Sequence, residues 1–148
     1  MWTFEHRITA AITQEQVWAV WTDVERWNAW DPGVSWAKLD GTFAVGTTCT
    51  LKPKDGPRVR AVITRCDRPL GFAAESHLPL CRLVFDHRVV EVSGGVQLTH
   101  RVTMTGPMTF LFRRLIGASI ERDMPVAMAR LVELATASRA GASAQRGD

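Results

Sequence analysis

The sequence predicts an α+β domain in which a curved, seven-stranded antiparallel sheet surrounds one long C-terminal helix. Three observations support this prediction. Apolar and polar residues alternate from Trp2 to Thr9, as in a strand with one buried face. Residues 34–107 divide into strand-length segments separated by short runs of glycine, proline and aspartate. From Thr109 onward, apolar residues recur with the spacing of a helix.

Two short helices are predicted between the first and second strands. Thr13 stands three residues before Gln16, which is the spacing of a capping box, so a helix begins at this point. Trp18 and its apolar neighbours give that helix one buried face. A second short helix carries Trp27 and Trp30 and ends at the Pro-Gly pair that follows.

The six strands after these helices are predicted to form an antiparallel meander, because the segments between turns are too short for crossover helices. The last hairpin is predicted to have a two-residue loop at Gly94-Gly95, which pairs Ser93 with Val96. One face of this hairpin is then mostly apolar and is directed at the long helix. The other face is polar and is directed at solvent.

The predicted domain comprises residues 1–137. Residues 138–148 lack apolar anchors, and we expect them to form a disordered tail. Pro125 lies within the predicted long helix. Because proline removes one backbone hydrogen bond, we expect a kink or a broken turn at this position.

Composition and charge argue against several classes of protein. The chain has 148 residues, of which 46% are hydrophobic and 22% charged, an ordinary composition for one globular domain. Its 18 lysines and arginines exceed its 15 aspartates and glutamates only slightly and are spread along the chain, so nucleic-acid binding is not expected. No apolar stretch approaches the length of a membrane span, so stable membrane insertion is not expected.

The cysteines and the N-terminal segment favour a cytoplasmic protein. Cys49, Cys66 and Cys81 are widely spaced and form no C-x-x-C pair, so neither a disulfide framework nor a thiol-rich zinc site is expected. The N-terminal strand carries charges where a secretory signal would need an apolar stretch. The sequence contains no phosphate-binding loop, nucleophile elbow or H-E-x-x-H motif, and no cofactor or metal is expected.

A set of tryptophans, turn formers and strand residues occurs in a characteristic order along the chain. The set consists of Val17-Trp18, Asp23, Trp30-Asp31-Pro32-Gly33-Val34, Gly46 and Leu98-Thr99-His100-Arg101-Val102-Thr103-Met104-Thr105-Gly106-Pro107. In this order, and over roughly residues 2–135, the chain resembles the polyketide cyclase/dehydrase branch of the START-like (SRPBCC) superfamily. The resemblance implies a helix-grip fold with a deep cavity between the concave face of the sheet and the long helix.

This resemblance leaves the function open, since family members include carriers, cyclases and co-chaperone-like modules. We expect the protein to bind a small hydrophobic or amphipathic molecule, lipid-like or polyketide-like, with buried apolar area supplying most of the affinity. One alternative is a polyketide cyclase/aromatase-like enzyme. Another is an interaction module that binds a partner protein. The oligomeric state, monomer or homodimer, is left open.

Three histidines are candidates for chemistry inside the cavity. The predicted register places His87 and His100 on the cavity face as diagonal neighbours, about 7–8 Å apart. His6 lies on the apolar face of the first strand, which the family topology places beside the last strand. A structural role is favoured over acid–base catalysis by His87 or His100 and over a metal site formed by all three.

The residues predicted to contact a ligand lie on the last hairpin, on the long helix and around the Asp31-Pro32-Gly33 turn, where the family's portal would lie. They are Trp30, Trp36, Phe85, His87, Val89, His100, Val102, Met104, Ile120 and Met124.

Overall fold

Seven strands form one antiparallel sheet in the computed structural model, which describes residues 1–146 and their side chains through residue 138. The strands are β1 Trp2–Ala10, β2 Val34–Leu39, β3 Thr48–Pro53, β4 Val59–Asp67, β5 Gly71–Leu78, β6 Cys81–Val92 and β7 Gly95–Thr105. Their order across the sheet is β1-β7-β6-β5-β4-β3-β2. The predicted meander is therefore confirmed, and β1 pairs with the last strand at one edge.

Helices occupy the two regions where the sequence predicts them. Between β1 and β2 lie α1 (Gln14–Thr22) and a 3₁₀ helix (Val24–Ala29). After β7 lie α2 (Thr109–Phe112), a π-helical turn (Arg113–Gly117) and α3 (Ala118–Arg146). Within residues 1–146, none of these helices combines the length and apolar character needed to cross a membrane.

The C-terminal helical region is irregular before Pro125 rather than at it. The π-helical turn precedes α3, whereas α3 continues through Pro125, so the broken turn is not formed there and the alternative, a kink, stays a prediction. Met128 and Leu131 are fully buried in the turns that follow. Their packing stabilises the helix where the proline removes a backbone hydrogen bond. The predicted tail, residues 138–148, lies outside the described side chains apart from Ser138 and stays a prediction.

The hairpin between β6 and β7 has a different register from the predicted one. Val92 pairs with Gly95, so the two-residue loop is Ser93-Gly94, and Gly94 has a φ of 83°. Gly95 belongs to the strand, where a Cβ would lie 2.0 Å from the carbonyl oxygen of Ala10 on β1. The sequence-based prediction placed Gly95 in the turn. In the structure this glycine lies in β7, where the absence of a side chain permits the close approach of β1.

This shift of two residues keeps every side chain of the hairpin on its predicted face, because strand side chains alternate with a period of two. The concave face is apolar and buried. The convex face carries ion pairs, including Glu5 with Arg101 at 2.6 Å and Asp86 with Arg65 at 2.6 Å. The two faces therefore separate the apolar interior from a charged outer surface.

Candidate functional site

Three histidines form a row across the concave face of the sheet. His6 on β1 pairs with His100 on β7, which in turn pairs with His87 on β6. Because directly paired residues point to the same side of a sheet, all three imidazoles lie on one face. The ring centroids of His87 and His100 are 4.5 Å apart, with the ring planes at 74°. These two residues are therefore direct neighbours rather than the diagonal neighbours that the sequence predicted.

His100 is held in one protonation state by its surroundings. It is 5% exposed, and its Nε2 accepts a hydrogen bond from Nε1–H of Trp21 at 3.2 Å. Burial lowers the pKa of His100 well below its ordinary value, and the neighbouring His87 and His6 lower it further. A neutral imidazole that accepts at Nε2 carries its proton on Nδ1. His100 is thus a neutral residue at physiological pH with a defined tautomer.

Aromatic rings surround His87, which is partly buried. Its ring stacks on Phe72, with centroids 4.1 Å apart and planes at 6°, and it meets Trp21 edge-on at 5.8 Å. Burial lowers the pKa of His87 to about 3; the nearby main-chain carbonyl of Phe72, whose contact with the ring does not reach hydrogen-bond geometry, raises the pKa, and Arg65 lowers it. His87 is therefore also neutral near pH 7.

An aromatic cluster packs around these two histidines. Its rings come from α1, the 3₁₀ helix and the turn after it, the β2–β3 loop and β5, and contacting rings have centroids 5.0–6.4 Å apart. Trp27 donates its Nε1–H to the main-chain carbonyl of Trp21 at 2.8 Å, which ties the two helices together. The cluster consists of Trp18, Trp21, Trp27, Trp30, Phe43 and Phe72.

Two polar side-chain atoms in this region are buried without a hydrogen-bond partner among the described residues. They are Nε1 of Trp30 and Nδ1 of His87. Trp30 contacts His100, whose ring also contacts His87, so both atoms belong to one neighbourhood. Buried polar groups are nearly always paired, and leaving one unpaired typically costs about 1–3 kcal/mol. The interior therefore holds two unused hydrogen-bonding groups within an apolar shell.

Large side chains of the protein pack between the concave face of the sheet and the helices. Trp21 and Phe72 are almost completely buried, as is Met128 on α3. Surface depressions of about 360 and 240 Å³ lie instead on the convex face and beside the β6–β7 hairpin. Neither depression lies on the concave face, where the family resemblance implies the cavity.

The residues predicted to contact a ligand fall into three groups. Trp30, His87 and His100 meet within the aromatic cluster. Trp36 is 40% exposed, because a β-bulge between Val34 and Trp36 turns its side chain away from the buried face. The remaining residues line the core: Val89, Val102, Met104 and Met124 are buried, whereas Phe85 and Ile120 are partly buried.

Sequence reasoning missed Phe43 and Phe72, and it gave Trp21 no polar role. Phe72 follows Gly71, where a Cβ would lie 2.1 Å from the carbonyl oxygen of His87. A glycine directly before an aromatic strand residue was therefore a usable signal of close packing between β5 and β6. Phe43 lies in the β2–β3 loop, where no periodic pattern identifies a buried residue.

The row of histidines does not form a metal site in this structure. Among the side chains described through residue 138, no three histidine, cysteine, aspartate or glutamate side chains are grouped to hold an ion. Nε2 of His100 is already engaged by Trp21. The arrangement instead offers two neutral imidazoles, each able to donate or accept a hydrogen bond in an apolar environment.

Solved structures with low sequence identity share this fold. Ara h 8.0201 superposes with a TM-score of 0.72 at 13% identity, over 92% of this chain and 98% of that one. The hypothetical protein jhp0584 from Helicobacter pylori superposes with a TM-score of 0.76 at 10% identity, over 90% and 87%. The di-domain ARO/CYC StfQ from the steffimycin biosynthetic pathway gives 0.74 at 16% identity, over 94% of this chain and 51% of StfQ.

The sequence itself identifies the family. No protein of curated function matches the sequence significantly. The family model for polyketide cyclase/dehydrase and lipid transport proteins, however, matches residues 1–136, which is almost the whole chain. The helix-grip fold and its apolar interior agree with that match. The chain therefore belongs to the polyketide cyclase/dehydrase and lipid transport family.

Proposed function

We propose that this protein binds a small, mostly apolar molecule between the concave face of the sheet and its helices, with Trp30 and His87 contacting a polar group of that molecule. One observation carries the proposal: the indole Nε1–H of Trp30 and Nδ1 of His87 are buried in the aromatic cluster without partners. A ligand that hydrogen-bonds to these atoms would remove their desolvation cost, while its apolar body would gain from burial.

The chemistry of the two atoms restricts the polar group. An indole nitrogen only donates, so the ligand must present an acceptor to Trp30. Because burial lowers the pKa of His87 to about 3, its imidazole is neutral near pH 7 and offers no positive charge to an anion. A carbonyl or hydroxyl group fits this environment, and a carboxylate does not.

Access of a ligand to His87 would require aromatic side chains to move, since Trp21 and Phe72 contact this histidine and are almost completely buried. Two members of the aromatic cluster, Trp30 and Phe43, belong to neither a helix nor a strand, and of these two only Phe43 is partly rather than fully buried. It contacts both Trp18 and Phe72. Displacement of the β2–β3 loop that carries Phe43 would open the cluster without breaking a strand or a helix.

The test is a fluorescence and thermal-shift titration with Nile red, a neutral apolar dye with a carbonyl acceptor, beside a flavonoid and a fatty acid. We expect Trp30→Phe to weaken binding of neutral probes by about fivefold, the value of one hydrogen bond. His87→Phe should also weaken binding of the neutral probes by about fivefold. Trp36→Phe is the matched control, because that tryptophan is exposed, and it should leave the affinity unchanged.

Stability measurements separate a lost ligand contact from a damaged fold. Trp30→Phe removes a donor with no partner and should cost little stability, whereas Trp27→Phe removes a donor bonded at 2.8 Å. If no probe binds or shifts the melting temperature, the binding proposal fails. The protein would then be better explained as a module that binds a partner protein.

A second candidate function is acid–base catalysis, as in a cyclase/aromatase-like enzyme. The contact between two neutral imidazoles supports it, because a neutral histidine can accept a proton from a carbon acid and, as the imidazolium so formed, return that proton to a carbonyl oxygen of the substrate. His100→Ala should then abolish turnover of a poly-β-ketone substrate while leaving its binding mostly intact. Equal turnover by the variant and the wild-type protein would rule out this role.

A further inference from the structure

Exposed apolar side chains lie where the β5–β6 turn meets the C-terminal helical region. Leu80, Phe110 and Leu115 are 69%, 63% and 64% exposed. The main-chain N–H of Met108 donates to the carbonyl of Leu80 at 3.1 Å, which holds the turn against the start of α2. We define the apolar–basic patch as Leu80, Phe110, Leu111, Arg113, Arg114 and Leu115.

The charge of this region is entirely basic. Arg113 and Arg114 are exposed, and no described residue forms an ion pair with either. The segments that carry the patch, residues 76–85 and 103–120, contain no aspartate or glutamate. On the convex face, by contrast, arginines are paired with carboxylates, as Arg101 is with Glu5. The arginines of the patch are therefore available to an external anionic partner.

Leu80 adds an independent observation. Its φ is 53°, a left-handed conformation that costs free energy for any residue with a Cβ and that glycine or asparagine adopts more readily. Its side chain is mostly exposed, so burial within this chain does not compensate for the strain. Strained residues of this kind concentrate at functional surfaces, where an interaction outside the chain uses the side chain.

We propose that the apolar–basic patch docks onto the surface of an anionic lipid bilayer. The apolar side chains would enter the boundary between headgroups and acyl chains, and the two arginines would contact the anionic headgroups. A bilayer requires no shape-matched partner surface. A stable protein interface, in contrast, typically uses about 20–30 residues on each side, far more than this patch provides. The patch contains no residue of the ligand site, so the docking proposal stands independently of ligand binding.

Vesicle flotation tests the docking. The full chain is mixed with vesicles of phosphatidylcholine and phosphatidylserine, and in parallel with vesicles of phosphatidylcholine alone. We expect binding to the anionic vesicles only, weakening as salt is raised because the arginine contacts are screened. Arg113→Glu with Arg114→Glu should reduce binding by more than tenfold, since each basic residue near such a surface contributes about fivefold. Phe110→Ser with Leu115→Ser should also reduce binding strongly.

Matched variants elsewhere on the surface serve as controls. Arg58→Glu with Arg60→Glu changes the net charge by the same amount at two other exposed arginines, and should retain binding. Val90→Ser with Val92→Ser removes two exposed apolar side chains from β6 and should also retain it. Circular dichroism establishes that each variant is folded.

Three results would overturn the proposal. Wild-type protein that fails to float with anionic vesicles would exclude the docking. So would equal binding by the patch variants and their matched controls. A wild-type dimer that does not bind vesicles, and that Phe110→Ser with Leu115→Ser converts to a monomer in sedimentation velocity, would assign the patch to self-association instead.

Discussion

Burial decides the chemical state of the two interior histidines at the scale of single residues. An exposed imidazole is partly charged near pH 6.5, whereas His87 and His100 stay neutral because the apolar shell around them destabilises the cation. Their neutrality makes them suitable partners for an uncharged ligand group. It also makes the fold sensitive to acid.

The first prediction concerns this acid sensitivity. The pKa of His87 falls from 6.5 to about 3 on folding, so below pH 6.5 the unfolded chain binds a proton that the folded chain does not. The stability that this histidine supports is fully present above pH 6.5 and is lost as the pH falls toward 3. Between pH 6 and 4.5, the free energy of unfolding should decrease by about 1.4 kcal/mol per pH unit for each buried histidine.

Urea unfolding at a series of pH values measures this slope. Above pH 4.5 the slope is little affected by Glu5, Glu75 and Asp86, because their lowered pKa values cost stability only below their ordinary values of 4.5 and 3.8. Asp31 opposes the slope, because burial raises its pKa and the folded chain therefore binds that proton at a higher pH than the unfolded chain does. His87→Phe keeps a ring against Phe72 and leaves Asp31 unchanged, so the difference between this variant and the wild-type protein isolates His87, and the slope of the variant should be shallower. An unchanged slope in His87→Phe would contradict the prediction.

At the scale of elements, α1 connects the site to the long helix. The hydroxyl of Thr13 accepts from the main-chain N–H of Gln16 at 3.1 Å, and the Gln16 side chain accepts from the N–H of Thr13 at 2.8 Å. Gln16 also donates from Nε2 to the carbonyl of Ala135 on α3 at 3.2 Å. The same capping residue therefore begins α1 and attaches it to α3, which fixes the position of Trp21.

The second prediction tests this element. Thr13→Ala should lower the free energy of unfolding by about 1 kcal/mol, because it leaves an N-terminal amide of α1 without its acceptor. Thr13→Ser retains the hydroxyl and should remain close to wild type. Chemical denaturation measures both. Gln16→Ala should cost more than Thr13→Ala, since it also removes the bond to Ala135; an equal or smaller loss would show that the connection between the helices contributes little.

At the scale of the whole molecule, one core joins the sheet to both helical regions. It extends from the aromatic cluster beneath α1 to the buried face of α3, where Leu131 and Ala135 are fully buried. Two surfaces lie outside this core: the ion-paired convex face and the apolar–basic patch. The molecule thus separates an interior suited to an apolar ligand from a surface suited to an anionic membrane.

The third prediction concerns the limit of the domain. Removal of residues 138–148 should change the free energy of unfolding by less than about 1 kcal/mol, because Ala135 is the last buried residue of α3 among the side chains described through residue 138. Removal of residues 131–148 also deletes Leu131 and should cost more than about 3 kcal/mol. Thermal and urea unfolding of both truncated chains provide the comparison. A large loss in the shorter truncation would place the domain boundary beyond residue 137.

Local patterns predicted the elements well. The Thr13 to Gln16 spacing identified the start of α1, and alternation identified β1, because caps and strand faces depend on residues close together in the chain. The register of the last hairpin was wrong for a physical reason. Gly95 is a glycine because Ala10 approaches it from another strand, and no local pattern reports that contact.

The candidate site could be predicted only in part. His87 and His100 were placed on the correct face because a shift of two residues preserves the alternation. Trp36 was placed in the site although a β-bulge exposes it, and Phe43 was missed because it lies in a loop. Both errors arise from irregular backbone, which side-chain periodicity does not describe.

The sequence by itself determined the fold class, the order of the elements, the apolar and polar faces of the hairpin and the family. Each of these is encoded in local composition and spacing, which the chain carries wherever it folds. Only the tertiary structure decided that aromatic side chains surround His87 and His100 and that His6, His100 and His87 stand in one row. It also left Nε1 of Trp30 and Nδ1 of His87 without partners. These properties depend on how distant segments fill a shared volume, and packing of that kind is settled only when the whole chain is folded.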